Sequence, residues 1–243
     1  MPLELREADA ERDFPALFRA LFESYDNPPQ SLVNVYFAPR GENEPAQEAR
    51  LKEAADRFAD WHANDPTSYW QKVVDTDSGK IVGGACWNVH SGNPFAQAHN
   101  LEITWLPDDG SREFASEFLR QYSVPRALVG QKPQVYLYII FTIPAYRRKG
   151  VAQKFMSWGM DKADELGVEM FLDASPVGMP LYEANKFICL KENIIVPEAN
   201  TPTPSGGWKR MESEVGTVRL YLMWRPINGN YIEGETKLPA EVE

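Results

Sequence analysis

Just after Pro144 the chain reads Ala-Tyr-Arg-Arg-Lys-Gly-Val-Ala, which sets Arg147, Arg148 and Lys149 directly ahead of Gly150, Val151 and Ala152. Ala152, Phe155, Met156, Gly159, Met160 and Ala163 then repeat at helical spacing, which predicts a helix from about Gly150 to Leu166. A helix start presents unpaired N–H groups and the positive end of a dipole, and both favour an anion such as phosphate. Gly150 lets the backbone come close to that anion, Ala152 keeps the first turn free of bulk, and the three cations add charge at the rim. Three adjacent cations also suit an ordinary solvated loop, so the turn by itself leaves both readings open.

The elements around the turn are legible in the same way. Leu3–Arg6 alternates as a short strand, and Phe14, Leu17, Phe18, Leu21 and Phe22 follow at helical spacing behind the candidate caps Asp9 and Asp13. Pro28 and Pro29 bar that helix from continuing. A second helix carries Leu51, Ala54, Ala55, Phe58 and Trp61. Residues 69–74 and 81–88 flank Asp-Ser-Gly-Lys and predict an antiparallel hairpin, in which Gly83 and Gly84 suit close strand packing. Residues 91–133 are less regular, with a helical stretch from about Ser111 to Gln121, and read as an insertion between the third and fourth strands, beside the sheet. Val135–Ile143, β-branched and aromatic throughout, is the strongest strand. Gly167 stands where a helix C-cap belongs, and residues 168–172 return as a strand, closing a parallel crossover. A short helix begins at Pro180, residues 197–207 form a Pro/Gly-rich loop, and residues 218–224 form a late strand. The reading is one domain over residues 1–228 with a mobile acidic tail over 229–243.

Of the 243 residues, 43% are hydrophobic and 25% charged, a balance that supports a sizeable core. A net charge of −10 argues against a nucleic-acid partner, which demands a basic surface, and tilts towards cationic substrates. No apolar run has a membrane span's length, and the opening residues lack a leader's basic-then-apolar order, so no membrane partner is expected. Cys86 and Cys189, with His62, His90 and His99, show no metal-ligand spacing, so no metal is expected. So few cysteines suit a reducing, cytoplasmic location.

Arg147-x-x-Gly150-x-Ala152, entered from a β-rich strand and followed by an amphipathic helix and then Leu181-Tyr182-Glu183-Ala184-Asn185-Lys186-Phe187, resembles the GNAT superfamily, the Gcn5-related N-acetyltransferases. The first element matches that family's Gln/Arg-x-x-Gly-x-Gly/Ala signature, and the second its Leu-Tyr-Glu-x-x-Gly-Phe element, with Lys186 in place of the glycine. The resemblance implies an α/β (α+β) fold. Its central twisted sheet of six or seven strands is mixed but mostly antiparallel, flanked by helices and splayed between the fourth and fifth strands. It also implies acetyl-coenzyme A as acyl donor, with the pyrophosphate cradled by Arg147, Arg148, Lys149, Gly150, Val151 and Ala152. The main chain of Phe141, Thr142 and Ile143 would pair with the pantetheine arm, and a backbone N–H near Phe141 or Thr142 would face the developing oxyanion.

Transfer to an amine needs the amine neutral and the leaving thiolate protonated. Tyr182, matching the family tyrosine, is the expected acid. Tyr138, His90, Glu102 and a water chain all stay open for the base. Tyr25, Trp87, His90 and Glu102 are candidate contacts to the acceptor, although the aromatic residues among them also suit a core. The activity this implies is acetyl transfer to a primary amine of a small molecule by direct attack in a ternary complex. A protein or peptide acceptor, a non-catalytic acyl-coenzyme A-binding module and an interaction domain are the alternatives. The oligomeric state is not legible.

Overall fold

The computed structural model describes residues 2–97 and 101–239. His99 and residues 240–243 at the end of the acidic tail lie outside the described residues. The chain runs β1 (Leu3–Glu7), α1 (Ala10–Tyr25), α2 (Val33–Tyr36), α3 (Glu44–Asn64), β2 (Ser68–Asp75), β3 (Ile81–His90), α4 (Ser111–Val129) and β4 (Gln134–Thr142). It continues through α5 (Val151–Leu166), β5 (Glu169–Ala174), α6 (Met179–Ala184), β6 (Ile188–Ile195), α7 (Gly206–Val215) and β7 (Val218–Arg225).

Local chemistry sets the ends of these elements. The Asp9 carboxylate caps α1 by accepting from the Arg12 N–H at 2.9 Å, and Asn43 does the same for α3 from Ala46 at 3.0 Å. Gly167 ends α5 in the left-handed conformation, φ 64°, its N–H reaching the carbonyls of Ala163 and Asp164. Lys186 adopts φ 66°, so the turn after α6 takes the left-handed form without the glycine usual in the family motif.

The seven strands form one sheet in the order β1-β2-β3-β4-β5-β7-β6. Every pairing is antiparallel except β4 with β5, which α5 joins as a crossover. Strand β4 is irregular on both of its edges. Against β3, Cys86 pairs with Ile139 and Trp87 with Leu137, so Tyr138 is an extra residue with no partner, a β-bulge. Against β5, the ladder runs from Gln134–Glu169 to Leu137–Leu172 and stops there, although β4 continues to Thr142. The expected splay between the fourth and fifth strands is therefore present.

The main core packs Phe14, Leu17 and Phe18 of α1, Phe58 of α3 and Phe155 and Met156 of α5 on the sheet. Each such side chain contributes roughly 1.5–3 kcal/mol by leaving water. At Gly83 a Cβ would lie 2.7 Å from the Phe141 carbonyl oxygen, and at Gly84 it would lie 2.6 Å from the Phe141 ring, the close packing that this glycine pair predicts. A second cluster joins Phe114 and Phe118 of α4 to Trp208 of α7 and Leu220 of β7. The insertion thus packs its own apolar face, and α4 runs past Gln121 to Val129 because Tyr122, Pro125 and Val129 are buried along it. Helix α7 and strand β6 also lie outside the elements that the sequence predicts.

Candidate active site

The splay leaves residues 138–142 of β4 without a neighbour on the β5 side. Backbone groups alternate in direction along an antiparallel strand. The Ile143 N–H donates to the Val82 carbonyl at 3.0 Å, so the alternation turns the N–H groups of Thr142 and Ile140 towards the open side and that of Phe141 towards β3. Phe141 and Ile143, both expected to pair with pantetheine, are instead turned to β3. Ile143 is also fully buried.

The open edge leads to the turn of cations. Gly150 has φ 82° and a Cβ placed there would meet nothing within 4 Å. It opens α5 without a side-chain cap, so the chain leaves the first N–H groups of the helix, on Val151, Ala152 and Gln153, to an incoming acceptor. Arg148 and Lys149 are exposed, with Lys149 Nζ 5.0 Å above the Tyr146 ring. Arg147 differs from the expected rim cation. Its Nε donates to the Thr142 carbonyl at 3.2 Å and its Nη2 to the Ser24 carbonyl at 2.8 Å, tying the end of α1 to the end of β4. Ser24 Oγ also donates to that Thr142 carbonyl, at 2.9 Å.

Along the whole of this edge runs a cavity of about 320 Å³, walled mostly by apolar and phenolic side chains from α1, α2, α4, β4, β5 and α6. Tyr25, Tyr138, Phe141, Thr142, Ala152 and Tyr182 all line it. Tyr182 is 6% exposed, and burial, with the nearby Tyr25 phenol adding to it, raises its pKa above the ordinary phenol value. Tyr25 is raised by burial alone. Tyr138 is raised by burial and by the Cys86 thiol against the opposing pull of Tyr36. All three therefore hold their protons at neutral pH and act as hydroxyl donors. Tyr182 thus has a proton to give, though as a weaker acid than a free phenol, and Tyr138 is a poor proton acceptor.

Three expected acceptor contacts lie elsewhere. Trp87 is fully buried, donates from Nε1 to Gln71 Oε1 at 3.2 Å and covers Gly159 of α5, where a Cβ would fall 2.3 Å from its ring. It is a core residue. His90 pairs in register with Gln134, about 13 Å of strand from Tyr138, and does not line the cavity. Glu102 is exposed and lines a separate shallow concavity with Glu53, Asp56, Arg57 and Asp60.

The structure adds a polar cluster that the sequence alone did not indicate. Asp173 of β5 is half-buried in the cavity wall, and its Oδ2 accepts from Tyr136 Oη at 2.9 Å. Tyr136 Oη lies 2.6 Å from Tyr122 Oη, and the Arg126 guanidinium sits 3.5 Å above the Tyr136 ring. Asp173 Oδ1 is sealed from solvent with no hydrogen-bond partner among the described residues. Burial raises the Asp173 pKa against the opposing pull of Arg126, Tyr136 and Tyr122. The tyrosines at 122, 136 and 138 and the aspartate fall in three different elements, so no local spacing joins them.

Residues 30–187 match the family model for the acetyltransferase (GNAT) family. The chain belongs to that family. Family membership makes it an acyl-transfer enzyme. No curated protein matches the chain. Among solved structures it resembles a histone acetyltransferase HPA2 and related acetyltransferase from Corynebacterium glutamicum, at 18% identity and TM-score 0.55, over 93% of this chain and 97% of that one. It also resembles the C-terminal condensation domain of Ebony in complex with beta-alanyl-dopamine, at 15% identity and TM-score 0.60, over 93% of this chain and all of that one. These likenesses concern the fold. Among the described residues no helix is long and apolar enough to cross a membrane, and no group of three or more His, Cys, Asp or Glu side chains is placed to hold a metal ion.

Proposed function

We propose that this acetyltransferase-family chain moves the acetyl group of acetyl-coenzyme A to a primary amine of a small molecule, by direct attack in a ternary complex. One observation carries the reading: the unpaired edge of β4 lines a cavity that reaches from Tyr138 and Asp173 to Ala152 at the uncapped start of α5. The helix start and the exposed Arg148 and Lys149 suit a pyrophosphate, while the N–H and carbonyl of Ile140 and the N–H of Thr142 suit an extended amide-bearing arm. An arm lying along that edge would bring its thioester to the cavity, where the Ile140 N–H can face the oxyanion and Tyr182 can protonate the departing sulfur. Side chains of α1, α2 and α4 wall the cavity beside Tyr138 and Asp173, which favours a small acceptor over a peptide, which needs an open groove.

The test is calorimetric titration with acetyl-coenzyme A and with free coenzyme A, followed by thiol release over a panel of primary amines. Micromolar binding with amine-dependent thiol release is the expected result. Absence of binding, or release only with peptides, overturns the reading.

A further inference from the structure

The acceptor's proton needs a recipient. The phenols in the cavity hold their own protons, and the expected His90 and Glu102 lie outside it. We propose that Asp173 receives that proton and is the carboxylate that selects a cationic primary amine for the cavity. The proposal rests on the reading of the cavity as the place of amine transfer.

Position favours Asp173. The β4–β5 ladder ends at Leu137–Leu172, and the next residue on each strand is Tyr138 and Asp173. These two therefore flank the closed end of the gap, where an acyl donor lying along β4 would end. The composition of the wall favours it too. Among the described residues that line the cavity Asp173 is the one carboxylate, and the one cation, Arg147, is held by two carbonyls. An ammonium entering such a wall loses its water and meets a single anionic partner. The carboxylate is also held from behind. Tyr136 Oη fixes Oδ2 and is itself fixed by Tyr122, which leaves Oδ1 without a partner. A buried carboxylate oxygen left unpaired is costly, and a bound amine is the kind of donor that would relieve it after a small rotation.

The groups facing Asp173 are few. Helix α4 brings Arg126 and Tyr122, β4 brings Tyr136 and Tyr138, and α2 brings Tyr36 close to that cluster. On its other side β7 sets Leu222 opposite it. Arg126 is the sole cation of this set, lying on the face of Tyr136 rather than in an ion pair with the carboxylate.

The ammonium gives one proton to the Asp173 carboxylate, leaving a neutral amine and a carboxylic acid. The freed lone pair forms the C–N bond at the thioester carbonyl, and the C–S bond breaks. Sulfur leaves as thiolate and gains the second nitrogen proton, by way of Tyr182. Asp173 returns its proton to water. Tyr136 and Tyr122 are positioning residues for the carboxylate.

The experiment measures kcat/KM against pH for the native protein, Asp173→Asn and Tyr136→Phe. Two primary amines serve as probes: 2-phenylethylamine, cationic at neutral pH, and aniline, already neutral. Calorimetry with acetyl-coenzyme A checks that each variant keeps its fold and donor site. The native protein should show an acidic limb with 2-phenylethylamine. Asp173→Asn should remove that limb and lower the plateau by about 100-fold, the low end of what a general base contributes. Tyr136→Phe removes a donor to the carboxylate, which raises its pKa and moves the limb to higher pH. Aniline needs no base, so its rate should change less than threefold in Asp173→Asn. An unchanged acidic limb in Asp173→Asn, or equal losses with both amines, overturns the role of Asp173 and leaves the transferase reading standing. Failure of the native protein to acetylate either probe or any amine of the wider panel overturns both.

Discussion

The two left-handed glycines at the ends of α5 form a matched pair. Gly150 has φ 82° and Gly167 φ 64°, and a Cβ at either would meet nothing within 4 Å. Replacing each with Glu adds the same side chain, the same negative charge and the same kind of backbone strain, about 1–2 kcal/mol per residue. Both variants should melt a few degrees below the native protein, at about 2–4 °C per kcal/mol for a domain of this size. Gly167→Glu should be the less stable, because its carboxylate faces the negative end of the helix dipole and that of Gly150→Glu the positive end, a difference of about 0.3–1 kcal/mol at each end. Affinity for coenzyme A should order the other way. A carboxylate about 4 Å from a bound phosphate costs about 4 kcal/mol at an effective dielectric constant of about 20, roughly a thousandfold in Kd. Calorimetric titration should therefore give a native-like Kd for Gly167→Glu and no measurable binding for Gly150→Glu. Comparable affinity in the two variants would refute the assignment of the α5 start as the phosphate cradle.

Tyr182→Phe should lower kcat by about 100-fold while leaving the calorimetric affinity for acetyl-coenzyme A within twofold, and an unchanged rate at every pH would remove it from the reaction. Lys186→Gly should raise the melting temperature by about 2–4 °C, since it relieves left-handed strain of about 1–2 kcal/mol at φ 66° and gives back part of that in unfolded-state entropy; a lower melting temperature would show the strain to be absent. Asp13, buried against Lys72, has its pKa lowered from 3.8 to about 2: burial pushes it up, but Lys72, the Asp9 N–H and Arg12 outweigh that. A depressed carboxylate stabilises the fold above its unfolded pKa and loses that contribution as pH falls through the folded one, here roughly 2 kcal/mol between about pH 4 and pH 2. Asp13→Asn should be less stable at pH 7 and flatter across that window in chemical denaturation; a native-like slope there would place the acid sensitivity elsewhere.

Most of the frame was legible because hydrophobic period and turn chemistry agree with the tertiary structure. The strand ahead of Pro144, the helix closed by Gly167 and the hairpin about Asp77-Ser78-Gly79-Lys80 all formed where local pattern placed them. Helix α7 was obscured by the Pro/Gly-rich run before it, although its Ser205 cap and the spacing of Trp208, Met211 and Val215 are a readable helix signal. Strand β6 lies at the sheet edge and carries Lys191, Glu192 and Asn193 in its centre, so its period-2 pattern is weak. At the site, the backbone cradle was legible because one contiguous motif builds it. The inward turn of Arg147 was not, because it depends on carbonyls contributed by Ser24 and Thr142. Asp173 was missed for the same reason, since its partners come from α4 and β4.

The unpartnered Tyr138 also bears on how a chain of this kind can diverge. Removing one residue there would mend the β3–β4 ladder. Every pair on either side would keep its register, so Phe141 would stay opposite Gly84 and the backbone groups of Ile140 would stay turned to the gap. What would go is the Tyr138 side chain, with the bend that the extra residue gives the strand where the β5 ladder ends. Substitution can retune the cavity one side chain at a time, whereas a change of length at this point alters the course of β4 at the closed end of the gap. One residue of chain length thus decides which phenol stands where β4 parts from β5.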